Sequence, residues 1–237
     1  VDNTFQRRGQ PSINAQWNNK VAILVGDHIL SKSLSSGIKA DNIKILETIA
    51  NVGMNLTDGE LLQLDKVQHA QISEEDYLEI IQKKTALLFS SCALIGGLSV
   101  KADKNTLKHL YHFGEYAGIC FQMKDDLLDY SENNEIGKPT RNDIKDGKIT
   151  LPLIYALKNA TNHQKHEIEQ WIENSDFSDL HIEKIVQFVQ ENGGLEYTLQ
   201  KMEEYKNKAI EELNGFADGE LKQSMILFAE FMSNRDY

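Results

Sequence analysis

Proline and cysteine are both scarce in this sequence. It has three prolines, and none of them lies within residues 12–138. Proline disrupts helix interiors, and the apolar residues of this stretch recur mostly at spacings of three and four, so the sequence predicts long helices and excludes a strand-rich fold. The two cysteines, Cys92 and Cys120, lie far apart in apolar helical sequence. This argues against a disulfide framework or a structural zinc site and favours a reducing cytoplasm.

Long apolar runs and an excess of basic charge are also missing. No stretch approaches the roughly 20 consecutive apolar residues that a membrane-spanning helix requires. The 25 Lys and Arg residues are outnumbered by 36 Asp and Glu residues, which gives a net charge of −11. A chain of this charge is not expected to bind nucleic acid, whereas an acidic excess is compatible with divalent cations.

The apolar spacing predicts an all-α fold in a single domain spanning residues 1–237. A bundle of nine helices accounts for most of the chain. The predicted helices cover residues 17–35, 40–65, 73–100, 105–131, 150–159, 162–173, 180–191, 195–213 and 219–233.

The helix over 105–131 carries a stripe that begins apolar and ends in carboxylates. At about 100° per residue, one narrow face collects seven residues. They are Leu107, Tyr111, Gly114, Gly118, Gln122, Asp125 and Asp129. The two glycines would let another helix approach closely, so this face is predicted to point inward.

Carboxylates on such a face would extend from the core into a cavity, with Asp126 beside Asp125 and Asp129. Buried carboxylates need a compensating cation, and a divalent metal that prefers oxygen ligands would supply it. The alternative is that these residues form a solvated acidic turn at a helix end.

Basic residues accompany these carboxylates. Lys138 and Lys148 each follow a glycine in the irregular stretch 132–149, and Lys84 lies beside Thr85 on an otherwise apolar helical stripe. Such groups would suit a phosphate-bearing ligand held by metals on one side and ammonium groups on the other. Taken singly, each of these basic residues is more typical of a protein surface.

The motifs together resemble the trans-isoprenyl diphosphate synthases, the polyprenyl synthetase family. The resemblance spans the chain, and its elements follow the family's order. They are Asp2 as the tail of a first aspartate-rich motif, Arg7-Arg8-Gly9, Val25-Gly26-Asp27, Gly59-Glu60, Lys84-Thr85, Phe121-Gln122 with Asp125-Asp126-x-x-Asp129, and a loop with Gly137-Lys138-Pro139, Gly147-Lys148 and Thr150-Leu151-Pro152.

The resemblance implies a helical bundle around a central cavity in which isopentenyl diphosphate condenses with an allylic diphosphate. It assigns magnesium binding to Asp2, Asp125, Asp126 and Asp129. It assigns allylic diphosphate contacts to Arg7, Lys84, Thr85, Gln122, Lys138 and Lys148, and isopentenyl diphosphate to Arg8. It also implies a cytoplasmic homodimer without a membrane span, in which a long product would allow peripheral membrane contact.

The sequence departs from the family pattern at its start. Two aspartates that precede the position of Asp2 in the family's first motif are absent, as is the Gly-Gly-Lys segment before them. We therefore expect the chain to be the C-terminal majority of a synthase that lacks its N-terminal helices, and to be inactive as given.

Two other classes of protein compete with the condensing enzyme. A class I terpene cyclase also ionises an allylic diphosphate in a helical bundle, but its second metal motif is usually of the Asn-Ser-Glu type. A non-catalytic partner subunit of a heteromeric prenyl synthase typically loses the aspartate-rich motifs. Because this chain keeps Asp125, Asp126 and Asp129, the condensing enzyme is favoured.

Overall fold

A computed structural model describes residues 5–7, 10–68, 72–131 and 141–235. The fold is all-α, as predicted, apart from a two-residue antiparallel strand pair near the start. The elements are β1 Gln6–Arg7, β2 Gln10–Pro11, α1 Ile13–Gln16, α2 Asn19–Lys39, α3 Ile43–Gln68, α4 Glu74–Ile81, α5 Leu87–Ser99, α6 Lys104–Asp129, α7 Asn142–Lys145, α8 Leu151–Asn159, α9 Asn162–Glu173, α10 Asp179–Glu191, α11 Gly194–Glu211 and α12 Glu220–Asn234.

All nine predicted helices are present, with ends that differ from prediction by a few residues. One of them, predicted over 73–100, is divided into α4 and α5 by a π-helical turn, Gln82–Ala86. Such a turn inserts an extra residue into the helix and is often found at functional sites. The 3.6-residue spacing of apolar positions does not reveal the π-helical turn, because the flanking helical turns remain regular.

Helix α6 lies at the centre of the bundle. It packs against α5, α8, α11 and α12, and its buried apolar residues divide between the main hydrophobic core and a second, smaller cluster. Met123 on α6 is fully buried, as are Leu151 on α8 and Ile185 on α10. None of the described helices is both long enough and apolar enough to cross a membrane.

Two glycines on α6 allow α5 and the π-turn to approach its backbone. A Cβ atom on Gly114 would lie 2.6 Å from the carbonyl oxygen of Phe89, and one on Gly118 would lie 2.6 Å from the Cα atom of Ala86. No real side chain tolerates such contacts. The predicted inward orientation of this face is confirmed at its two glycines.

We predict that Gly114→Ala destabilises the protein by about 1–3 kcal/mol, because the added methyl group must displace the backbone of α5. Gly96→Ala on α5 is the control, since nothing lies within 4 Å of a Cβ placed there. Alanine is the better helix former, so this control should be neutral or stabilising by up to about 1 kcal/mol. Urea unfolding of both variants tests the difference, and equal stabilities would contradict the close approach.

Candidate active site

A cavity of about 210 Å³ opens between α3, α4, the π-turn, α6 and the segment that follows α7. Its wall combines apolar side chains with carboxylate, ammonium, amide and hydroxyl groups. The lining residues are Gln63, Ile72, Tyr77, Ile80, Ile81, Lys84, Thr85, Gln122, Asp126, Asp143, Lys148, Ile149 and Thr150. Five residues assigned by resemblance therefore meet in one cavity.

Asp126 is the most deeply buried polar group of this cavity, with 2% of its surface exposed. The hydroxyl of Tyr77 donates to its Oδ2 atom at 2.7 Å, and Nε2 of Gln122 donates to its Oδ1 atom at 2.9 Å. The hydroxyl of Thr85 in turn donates to Oε1 of Gln122 at 2.7 Å. A hydrogen-bonded chain thus links α4, the π-turn and α6 at one carboxylate.

The charge of Asp126 is nevertheless poorly compensated. Burial raises the pKa of its carboxyl group to about 7, and the negative charges of Asp143 and Asp125 contribute in the same direction. The hydrogen bonds from Tyr77 and Gln122 lower this pKa and offset only part of the effect. A cation arriving beside these carboxylates would remove the remaining electrostatic cost.

Two of the lining residues are lysines, which bring positive charge to the cavity. Nζ of Lys84 donates to Oε1 of Gln63 at 2.6 Å and lies 2.5 Å from Oε2 of Glu60, both on α3. The π-turn brings Lys84 and Thr85 together onto the cavity wall. Gly59 on α3 makes this packing tight, since a Cβ there would lie 2.8 Å from Cγ of Lys84.

Lys148 also lines the cavity and contacts α7. Its Nζ donates to Oδ1 of Asp143 at 2.6 Å and lies 3.7 Å from a carboxylate oxygen of Asp146. Burial alone would lower the pKa of Lys148, but the bond to Asp143 and the surrounding carboxylates raise it overall. Lys148 is therefore a stable cation.

The other two carboxylates of the motif do not line the cavity as the predicted stripe required. Asp125 bonds to Arg235 of the α12 terminus through Oδ1 at 2.7 Å. Asp129 accepts the backbone N–H groups of Asp143 and Ile144 at its Oδ2 atom, at 3.1 and 3.3 Å. Asp126, rather than Asp125 or Asp129, thus lines this cavity, and Asp129 fastens α7 to α6. The metal-binding roles of Asp125 and Asp129 stay predictions.

Several of the predicted site residues lie outside the described residues or have undescribed side chains. Asp2, Arg8 and Lys138 belong to the first group. Arg7 lies in β1, and only its backbone is described. Their assignments stay predictions.

The structure adds residues that the sequence did not single out for a role. Asp143 and Gln63 line the cavity, Tyr77 holds Asp126, and Arg235 holds Asp125. The carboxylate of Asp143 lies inside the lysine-rich stretch, which could have suggested it. Arg235 offered no such signal, because its partner is 110 residues away in sequence.

The donor set at this end of α6 fits a hard divalent cation. Asp126 and Asp143 both bring carboxylate oxygens to the cavity wall, and these are the ligand type that Mg²⁺ prefers. Among the described residues, no three histidine, cysteine or acidic side chains are gathered as a preformed ion site.

Comparison with known proteins identifies a consistent set of relatives. The polyprenyl synthetase family model matches residues 1–189. Octaprenyl diphosphate synthase of Escherichia coli K12 is 34% identical over 237 residues, which is all of this chain and 73% of that protein.

Solved structures agree with this result. A decaprenyl diphosphate synthase from Rhodobacter capsulatus has a TM-score of 0.91 and 33% identity, covering 99% of this chain and 72% of that one. A polyprenyl synthase from Caulobacter crescentus CB15, complexed with calcium and isoprenyl diphosphate, has a TM-score of 0.91 and 29% identity. The match covers 98% of this chain and 71% of that one.

We predict that Asp126→Asn stabilises the metal-free protein at pH 8 by about 1–3 kcal/mol. The folded-state pKa of Asp126, about 7, exceeds the roughly 3.9 of an unfolded aspartate. The carboxyl group therefore contributes a destabilisation that is absent below pH 4, grows as pH rises to about 7 and then levels off. An asparagine does not titrate, so its advantage should follow this window.

Urea unfolding in EDTA between pH 4 and 8 measures the effect. Asp125→Asn is the control and should destabilise the protein, because it removes the carboxylate that pairs with the buried guanidinium of Arg235. An advantage of Asp126→Asn that is the same at pH 4 and pH 8 would contradict the buried-charge account.

Proposed function

The chain belongs to the polyprenyl synthetase family and is a prenyltransferase that makes trans-polyprenyl diphosphates, and we propose that its cavity condenses isopentenyl diphosphate with an allylic diphosphate. The observation that carries this proposal is the pairing of carboxylates with lysines around one cavity. Asp126 and Asp143 provide the carboxylates, and Lys84 and Lys148 provide the ammonium groups. A diphosphate chelated by a divalent metal requires both kinds of group.

The apolar part of the same cavity suits the prenyl chain. Ile80, Ile81 and Ile149 lie on its wall beside the charged groups. The reaction breaks an allylic carbon–oxygen bond, and water would capture the resulting carbocation. Apolar side chains that exclude water from this region support condensation over hydrolysis.

We propose that Mg²⁺ is the cofactor and that Asp125, Asp126 and Asp129 hold it, with Asp2 contributing from the first motif. When bound, Mg²⁺ would neutralise the negative charge that accumulates on the departing diphosphate. The carboxylate oxygens at the end of α6 support this assignment. The raised pKa of Asp126, caused mainly by burial, also supports it, because an adjacent cation would favour the ionised carboxylate.

The basic groups have distinct proposed roles. Lys84 and Lys148 would donate to oxygens of the allylic diphosphate, exchanging their present carboxylate and amide partners for phosphate. Thr85 and Gln122 would help to orient the same diphosphate, and the hydrogen bond between their side chains would hold both in place. These donors stabilise the leaving diphosphate most strongly when its charge is greatest, in the transition state. Arg7 and Lys138 would contact the same diphosphate, and Arg8 would bind isopentenyl diphosphate.

The requirement for a second substrate, isopentenyl diphosphate, distinguishes the proposed reaction from that of a terpene cyclase. The isopentenyl double bond attacks the allylic cation, and a proton is then lost to restore neutrality. We assign no side-chain base to that step. A cyclase would consume one allylic diphosphate without isopentenyl diphosphate, so dependence of product on the second substrate distinguishes the two.

We further propose a homodimer that works in the cytoplasm. Large apolar side chains at helical spacing remain exposed on neighbouring helices: Ile23, Leu30 and Ile38 on α2, and Ile43, Met54 and Leu61 on α3. A second copy would cover these faces. The cytoplasmic assignment is supported by Cys92 and Cys120, which are free thiols.

Extended by the helices that complete the first aspartate-rich motif, and supplied with Mg²⁺, the protein should release pyrophosphate and form longer prenyl diphosphates from farnesyl diphosphate and radiolabelled isopentenyl diphosphate. Lys148→Gln should raise the Michaelis constant for the allylic substrate about 10–100-fold, since a charge-assisted phosphate contact is worth about 1.5–3 kcal/mol. Lys158→Gln, at an exposed position on α8, is the matched control. A Lys148→Gln constant within twofold of the wild type would remove Lys148 from the substrate site.

We predict that Leu30→Glu on α2 converts a dimer into monomers, because a charge in an apolar interface loses its hydration. Lys32→Glu, at an exposed polar position of the same helix, should leave the association state unchanged. Sedimentation velocity measures both. A wild-type protein that sediments as a monomer would refute the dimer, and a Leu30→Glu dimer would show that this face is not the interface.

A further inference from the structure

The end of α12 reaches the aspartate-rich end of α6 through one side chain. Helix α12 ends at Asn234, and Arg235 follows it with an extended backbone. The guanidinium of Arg235 lies against α6, although α6 and Arg235 are separated by more than a hundred residues. The last described residue of the chain is therefore part of the site's surroundings.

Hydrogen bonds and ring stacking hold this guanidinium. Its Nη2 atom donates to Oδ1 of Asp125 at 2.7 Å and to the main-chain oxygen of Phe121 at 2.9 Å. The guanidinium carbon lies 3.8 Å from the centre of the Phe121 ring, which is stacking distance. Phe121 and Asp125 are one helical turn apart, so a single nitrogen bridges a backbone carbonyl and a carboxylate on the same turn.

Burial separates this contact from an ordinary surface ion pair. The side chain of Arg235 is 8% exposed and that of Asp125 is 25% exposed. Exposed ion pairs rarely hold one geometry, whereas a stacked and buried arginine with two acceptors leaves its carboxylate partner little rotational freedom. Asp125 is thus held towards α12, while its neighbour Asp126 is held towards the cavity by Tyr77.

We propose that Arg235 is a positioning residue: it holds Asp125, which lies next to Asp126 but outside the cavity wall, in the orientation from which Asp125 binds the metal of a metal–diphosphate complex. The inference rests on the proposed function, in which Asp125 is a metal ligand. Partners that orient a ligating carboxylate commonly affect metal affinity 10–100-fold when they are replaced. Arg235 acts through Asp125 and contacts no reacting atom.

Calorimetric titration with MgCl₂ and inorganic pyrophosphate tests this role. Arg235→Gln should weaken binding 10–100-fold. Arg235→Lys should recover only part of the loss, because an ammonium group keeps the charge but cannot stack on Phe121 while bridging both oxygens. In an Asp125→Asn background, Arg235→Gln should have no further effect.

Lys222→Gln is the matched control. Lys222 is also a cation on α12 that bonds a carboxylate, Asp218, and a main-chain oxygen, that of Phe216. It lies about 20 Å from Arg235 at the helical rise of 1.5 Å per residue. Its replacement should leave pyrophosphate affinity within twofold of the wild type.

Two outcomes of the titration would overturn the proposal. Unchanged or tighter binding by Arg235→Gln would mean that the guanidinium is irrelevant to the metal or competes with it. An equal loss in the wild-type background and in the Asp125→Asn background would mean that Arg235 acts elsewhere, so the Asp125→Asn variant is essential to the design.

Urea unfolding without metal separates this proposal from the proposed function. If wild-type protein fails to bind magnesium pyrophosphate, the proposed function is contradicted. In urea unfolding, the Arg235→Gln and Asp125→Asn variants still form a double-mutant cycle. Their effects on the unfolding constant should be strongly non-additive, and simple additivity would overturn the positioning contact itself.

Discussion

The burial of one carboxylate, that of Asp126, is the constraint to which the rest of the site responds. A carboxylate with 2% exposure must be hydrogen-bonded or neutralised. Tyr77 from α4 and Gln122 from α6 supply donors, and Thr85 from the π-turn holds Gln122 in place. These hydrogen bonds come from three segments, so the helices must keep their relative positions for the carboxylate to remain satisfied. The chemistry of the cavity and the packing of the bundle are therefore coupled.

That packing depends on the small residues of α6. Gly118 lets the Cα atom of Ala86, the last residue of the π-turn, approach to a distance at which any side chain would clash. The neighbouring Thr85 is consequently close enough to bond to Gln122 on α6. On the opposite side of the turn, Gly59 of α3 makes room for Lys84. Two glycines on different helices thus fix the turn that carries both polar groups into the cavity.

The sequence was sufficient to predict the helices and much of the cavity wall. Helices are short-range structures, so apolar spacing locates them, and the resemblance selected Lys84, Thr85, Gln122, Asp126 and Lys148, which do meet. The stripe pointed to Asp125, whereas Asp126 is the aspartate of the motif that lines the described cavity, and the difference has a geometric reason. Asp125 and Asp126 differ by only about 100° around α6, and the orientation of each is decided by partners far away in sequence. Tyr77 and Arg235 are such partners, and no local pattern predicts contacts across 49 or 110 residues.

The described ion pairs also explain how a charged cavity stays stable before it receives a ligand. Lys84 and Glu60 are 27% and 54% exposed, and Lys148 and Asp143 are 39% and 28% exposed. Pairs with this access to water contribute little net stability, so breaking them costs little. In the proposed function, a diphosphate would pair with both lysines and a cation with Asp143, while the exposed carboxylate of Glu60 would be left to water. Asp126 differs because its burial leaves it no such exchangeable partner, and it gains most from an arriving cation. The same cavity therefore combines easily exchanged surface pairs with one unfavourable buried charge, a combination that the proposed joint binding of a metal and a diphosphate would use.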